Sequence, residues 1–229
     1  MPPLTELYAW YELLRTHYAV AERENFTGET ESSFERALVV ILGFGKAQAA
    51  LTNLRGSLPA GEALTPAALS ELSEMALEKA LRPAGFVKNK VRKVRGLIKV
   101  WMESIEAGEE VLEEAVLKAD ATAFRQKLVS TRGIGQESAD AVLLLALDVP
   151  VFAVNTQTYR LLKRHGFVGE DADYAEMQEL FYGALPEEAG VYKEYYRLIR
   201  KVAEDFCLAA KPLCEGCPLK GYMEYEPED

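Results

Sequence analysis

Apolar positions recur at three-four spacing along most of the chain, and no apolar–polar alternation reaches convincing strand length. The pattern predicts an all-α fold. Helices are expected near residues 4–20, 34–50, 88–106, 108–117, 121–130, 136–147, 155–165, 173–183 and 189–207. Thr65 and Pro66, followed by Ala68, Leu69, Leu72, Met75 and Ala76, predict a further helix: a capping side chain, a proline in the first turn, then an apolar stripe. Connections such as Pro59-Ala60-Gly61 and Leu185-Pro186 are short, and no internal repeat or long linker interrupts the pattern.

Composition narrows the picture. With 229 residues, 49% of them apolar and 27% charged, the chain can bury a core in one or two domains. It has no run of eighteen uncharged apolar residues, and its first thirty residues lack the basic start and apolar stretch of a secretory signal. A cytoplasmic protein without a membrane partner is expected. The net charge of −10 argues against nucleic acid only as an average, because its distribution is uneven. Residues 82–99 carry Arg82, Lys88, Lys90, Arg92, Lys93, Arg95 and Lys99 and no acid, while 36 acidic and 19 basic residues make up the rest. Such a block fits a footprint for phosphates, and equally a solvated helix face.

A tight turn lies between two helical segments at Arg132-Gly133-Ile134-Gly135-Gln136. Glycines there permit positive φ and close approach of a ligand, and the amides opening the next helix offer a seat for a phosphate. Alone, the turn is explained as well by a compact helix–helix corner. Three cysteines, Cys207, Cys214 and Cys217, crowd within eleven residues, which suits a metal site better than a disulfide framework.

Three stretches carry a resemblance. LVSTRGIGQESADAVLLLAL with VPVFAVNTQTYRLLKR resembles the helix–hairpin–helix and catalytic loop of the endonuclease III superfamily of DNA glycosylases. LRPAGFVKNKVRKVRGL is similar to a helix of that superfamily, especially of its 3-methyladenine glycosylase branch. CLAAKPLCEGCPL looks like its [4Fe-4S] loop. Together they cover about residues 30 to 220. The resemblance implies two helical domains with a DNA-binding cleft: a barrel with the hairpin over 33–150, and a second domain from 1–32 and 151–229 with the cysteine loop. It also implies a monomer that flips a damaged base, expected to be an alkylated purine, out of double-stranded DNA and cleaves its glycosidic bond. Arg132, Gly133, Ile134, Gly135 and Gln136 of the hairpin, and Lys88, Lys90, Arg92, Lys93 and Arg95 of the basic block, are the expected DNA contacts.

The chain departs from the family pattern at four places. Asn155 stands where the family has its catalytic aspartate, so shape and an acceptor oxygen remain but charge does not; loss of activity, leaving a lesion-binding protein, is the alternative. Glu137 occupies the position of the Schiff-base lysine of glycosylase-lyases, which points to a monofunctional, water-using enzyme. Glu137 is either a helix-favouring acid or a partial replacement for the missing carboxylate. Phe44 sits where a polar wedge is usual, with Lys46 nearby as a phosphate contact; a core phenylalanine is the alternative. The fourth cluster position falls on Met223, a poor substitute for a thiolate, leaving open a cluster with an unusual fourth ligand, zinc, or an empty loop. His17 and His165 are too isolated to suggest a site, and Trp10, Trp101, Tyr192, Tyr195 and Tyr196 read as helix-packing or cleft-wall residues.

Overall fold

A computed structural model describes residues 2–18, 32–104 and 120–222, and none of these lies in a strand. The helices are α1 (Leu4–His17), α2 (Ser33–Leu42), α3 (Phe44–Arg55), α4 (Pro66–Ser70), α5 (Glu74–Leu81), α6 (Val87–Ser104), α7 (Ala121–Ser130), α8 (Gln136–Leu147), α9 (Thr156–Arg164), α10 (Tyr174–Ala184) and α11 (Ala189–Asp205). The predicted helix at 108–117 falls outside the described residues. Among the described helices, none is long and apolar enough to cross a membrane.

Two predicted helices are each divided. The 34–50 segment breaks at Gly43, whose φ of +85° suits a residue without Cβ and ends α2 before α3 begins. The stripe after Thr65 breaks at Ser73. Thr65 accepts from Ala68 N and Ser73 from Ala76 N, so two capping side chains open two short helices. Met75, read as part of the apolar stripe, is 79% exposed as a result.

The chain forms two compact units, one from Met1–Arg23 with Pro150–Asp229 and one from Glu24–Val149. In the second, α8 is buried on every side from Ala139 to Leu147, which explains why its sequence is apolar all round. It packs on α2 and α7, α6 packs on α4, α5 and α7, and α3 packs on α2 and α5. Phe34, Trp101 and Phe124 meet edge to face at 5.3 and 5.5 Å in its core. In the other unit α1 packs on α10 and α11, and α9 packs on α11. Phe152 stacks on Phe181 at 3.8 Å, and Tyr195 donates from its buried hydroxyl to Leu7 O. Trp10, Trp101, Tyr192, Tyr195 and Tyr196 are all buried packing residues, and His165 is packed edge-on against Trp10.

One buried ion pair holds the hairpin's two helices. Asp140 of α8 is fully buried and receives both Nε and Nη2 of Arg125 from α7. Removing the guanidinium leaves a desolvated carboxylate without its main counter-charge. Arg125→Met is expected to lower stability by about 3 kcal/mol, and Arg125→Met with Asp140→Asn by clearly less. Urea unfolding of the two variants checks this; equal losses would show that the pair matters only through packing.

Candidate functional site

The hairpin and the basic block, 33 residues or more apart in sequence, meet in one place. After α7 the chain turns at Thr131 to Gly135, with Ile134 N donating to Thr131 O and the Ile134 side chain buried at 3% exposure. Gly133 has φ +98°, a value that disfavours any side chain. A Cβ on it would lie 3.6 Å from both Arg92 Cδ and Lys93 Cγ and 3.7 Å from Asn89 Oδ1, so the side chains of α6 line the turn. The two elements are this near because Gly96 has no Cβ; one there would come within 2.3 Å of Thr131 Cγ2.

Gly135 is the N-cap of α8 and supplies no side-chain cap. The first amides of α8 therefore belong to the set that a helix cannot satisfy internally, and the macrodipole adds positive potential there. Lys93 reaches the same helix end, donating from Nζ to Ser138 Oγ at 3.2 Å. Arg132, Gly133, Gly135, Gln136 and Glu137 are exposed around the turn, as are Lys88 and Arg92 on α6. Glu137 places its acid in the first turn of α8.

Two members of the block face the other way. Arg95 donates from Nη1 to Ser70 O at 2.9 Å and from Nη2 to Leu72 O, capping the end of α4 with its guanidinium. Lys90, half-buried, donates from Nζ to Ile41 O at 2.9 Å. Burial, and then the charge of Lys93, holds the Lys90 pKa below the ordinary lysine range. Of the five basic residues expected on DNA, Arg92 and Lys93 thus lie beside the hairpin, Lys88 is exposed on the same helix, and Lys90 and Arg95 bind the protein's own carbonyls.

The turn before α6 presents a residue to which the sequence pattern assigned no role. Phe86 is 89% exposed and has φ +45°, a left-handed conformation rare for an aromatic residue. It follows Gly85, itself at φ +70°. The signal in the sequence is a Gly-Phe pair directly before a basic helix, and Gly43-Phe44 repeats it. Phe44 begins α3 and is half-buried; the side chain of Lys46 lies outside what the structure describes.

In the other unit, Asn155 is the N-cap of α9. Its Oδ1 accepts from Thr158 N at 2.8 Å, and Thr158 Oγ1 accepts from Asn155 N, a reciprocal capping box. Thr158 Oγ1 also donates to Oδ1 at 3.1 Å. Because the acceptor oxygen is engaged in the cap, the amide nitrogen is the remaining polar atom. Asn155 Nδ2 is buried and has no hydrogen-bond partner among the described residues.

The far end of α9 grips the cysteine loop. Arg160 Nε donates to Cys207 O at 2.7 Å, and Arg164 donates to Cys207 Sγ at 3.1 Å, Leu208 O and Ala209 O. Burial pushes the Cys217 thiol up, the Leu219 backbone amide opposes this, and Cys207 and Cys214 add to the rise. Among the described residues, however, no three His, Cys, Asp or Glu side chains are gathered as a metal would need them. Met223 lies outside the described residues.

Residues 44–187 match the family model of the HhH-GPD superfamily base excision DNA repair protein. A Methanocaldococcus jannaschii protein, named provisionally as a DNA repair glycosylase, is 31% identical over 216 residues, 94% of each chain. Endonuclease III of Sulfolobus acidocaldarius is 25% identical over 223 residues, again 94% of each. Among solved structures, a trapped endonuclease III–DNA covalent intermediate superposes with a TM-score of 0.75 at 21% identity, covering 98% of this chain and 97% of that one. The 3-methyladenine DNA glycosylase MagIII of H. pylori, bound to 1,N6-ethenoadenine, gives 0.72 at 21% identity, covering 91% and 100%. The chain belongs to the HhH-GPD superfamily of base excision DNA repair proteins.

Proposed function

We propose that this chain is a monofunctional DNA glycosylase that hydrolyses the bond between deoxyribose and a flipped, damaged base of duplex DNA. The observation that carries the DNA reading is the side of α6 packed beside the Gly133 turn. Lys88, Arg92 and Lys93 supply mobile positive charge, and the α8 amides supply fixed donors, so one phosphate run meets both. The exposed Phe86 is the natural wedge: an aromatic ring held out on a conformationally constrained turn beside phosphate-binding charge enters a base step as a unit. Phe44 is a second candidate from the matching turn.

Hydrolysis and not lyase chemistry is favoured because residue 137 offers a carboxylate where an amine would be needed. An alkylated purine is the proposed substrate, supported by the resemblance of residues 81–97 to the 3-methyladenine branch. Asn155 keeps the capping geometry of the catalytic position, but its available group is a donor. A donor does not stabilise the positive charge that develops on the sugar, so reaction through this residue is slow. That same observation favours a second reading, a lesion-binding protein without turnover. Asn155→Asp separates them: base release from an alkylated-purine duplex should rise at least about a hundredfold as a charge stabiliser returns. No base release from any lesion duplex that this variant binds would leave the binding reading alone.

The DNA interface has its own test. Replacing Lys88, Arg92 and Lys93 together by glutamate should weaken duplex affinity and lower the slope of log K against log salt by about three, one counterion per lost contact. An unchanged slope in fluorescence anisotropy titrations would move the interface elsewhere.

We also propose that the Cys207, Cys214 and Cys217 loop binds an iron–sulfur cluster whose fourth ligand comes from outside the described residues. The spacing of the thiols, and the Arg164 donor on Cys207 Sγ, support it. Protein purified without oxygen should be brown and contain iron and acid-labile sulfide, both lost in Cys214→Ser. A colourless, iron-free and fully folded protein would dismiss the cluster.

A further inference from the structure

The unit that carries the hairpin contains two Gly-Phe turns, and one residue, Lys90, bonds to the surroundings of both, to one through its side chain and to the other through its backbone. At the first, Gly43 takes φ +85° and Phe44 opens α3. At the second, Gly85 takes φ +70° and Phe86 φ +45°. Lys90 lies one turn into α6. Its backbone N–H donates to Phe86 O at 3.1 Å, and Asn89 N donates to the same oxygen at 2.9 Å. Its side chain crosses to the other turn, where Nζ donates to Ile41 O, and a Cβ on Gly43 would lie 3.8 Å from that nitrogen.

We propose that Lys90 is a positioning residue, a strut that sets the Phe86 turn at a constant distance from the Phe44 turn so that the aromatic residues distort DNA as one rigid element. The proposal rests on the reading of Phe86 as a wedge. A lysine in a block of seven basic residues would ordinarily extend into solvent or toward phosphate, where its hydration costs nothing. Here the ammonium is half-buried against a backbone carbonyl. The acceptor is well chosen, because Ile41 is in the last turn of α2, where the break at Gly43 leaves carbonyl ends and a negative dipole pole. A wedge must unstack a base step on entering it, and a turn free to hinge would yield in place of the DNA. Phe86 has no packing of its own to resist that push, since its ring is exposed. The resistance comes through α6, and the Lys90–Ile41 bond ties the start of α6 to the neighbouring turn.

The test uses a duplex in which a tetrahydrofuran abasic analogue faces 2-aminopurine, so that unstacking is read as fluorescence without knowledge of the natural lesion. Full-length protein should raise the signal on binding, and Phe86→Ala should cut that rise at least about threefold. Lys90→Met should cut it comparably while leaving the salt slope of binding unchanged, because its ammonium is not on a phosphate. The double variant should fall no further than Lys90→Met alone, the signature of two residues acting through one element. Lys90→Arg, which keeps a donor, should recover most of the rise. A purely structural lysine would lower thermal stability without this non-additivity. Should Lys90→Met not fold, Lys90→Gln is read by the same criteria. If Phe86→Ala reduces the rise and the Lys90 variant does not, or if the two losses multiply in the double variant, the strut is overturned while the wedge stands. If Phe86→Ala has no effect, the wedge reading itself falls and takes the strut with it.

Discussion

The near contact of α6 with the hairpin organises the most positively charged stretch of this protein. A helix carrying a dense positive charge lies against a turn of bare amides, and Gly96 sets the distance: its missing Cβ is what Thr131 occupies. Side chains at Arg92 and Lys93 then fall beside Gly133, and Lys93 reaches Ser138 at the opening of α8. Fixed and mobile donors are brought to one surface without burying a charge.

Charge in the block is divided by helical geometry. Residues 92 and 93 lie beside the hairpin and 88 is exposed on the same helix, whereas 90 and 95 lie against the ends of α2 and α4. Both inward cations sit on C-terminal carbonyls, which is where a helix dipole stabilises a positive group. Five basic residues therefore do two jobs: three remain available for phosphate, and two fix the helix that presents them. Arg125 with Asp140 performs the corresponding task for the second helix of the hairpin.

At Asn155 the helix cap decides which atom of the side chain is left over. An N-cap needs an acceptor, which aspartate and asparagine supply about equally well. The amide keeps α9 properly started, and its cost is a buried nitrogen with no partner among the described residues. Leaving such a donor unsatisfied costs on the order of 1–3 kcal/mol, the kind of local inconsistency that marks functional positions. Because α9 also holds Cys207 through Arg160 and Arg164, the cap and the cysteine loop are the two ends of one short helix.

Sequence alone determined the helical class, most helix positions and the hairpin, because apolar spacing, capping residues and glycine turns act locally. The departures at Asn155 and Glu137 are expectations of another kind, since they set residue identity against the pattern of a resembling family. The breaks at Gly43 and Ser73 were harder to see: a glycine or serine inside a helical stripe is tolerated as often as it ends one, and only packing decides. The block at 82–99 was legible as charge but not as two populations, because whether a lysine meets a phosphate or a carbonyl depends on helices far away in sequence. Phe86 was likewise hidden in its own motif, its exposure being a property of what fails to cover it. The convergence of the hairpin with α6 was decided by tertiary structure alone, because it depends on distances between segments that no local interaction sets.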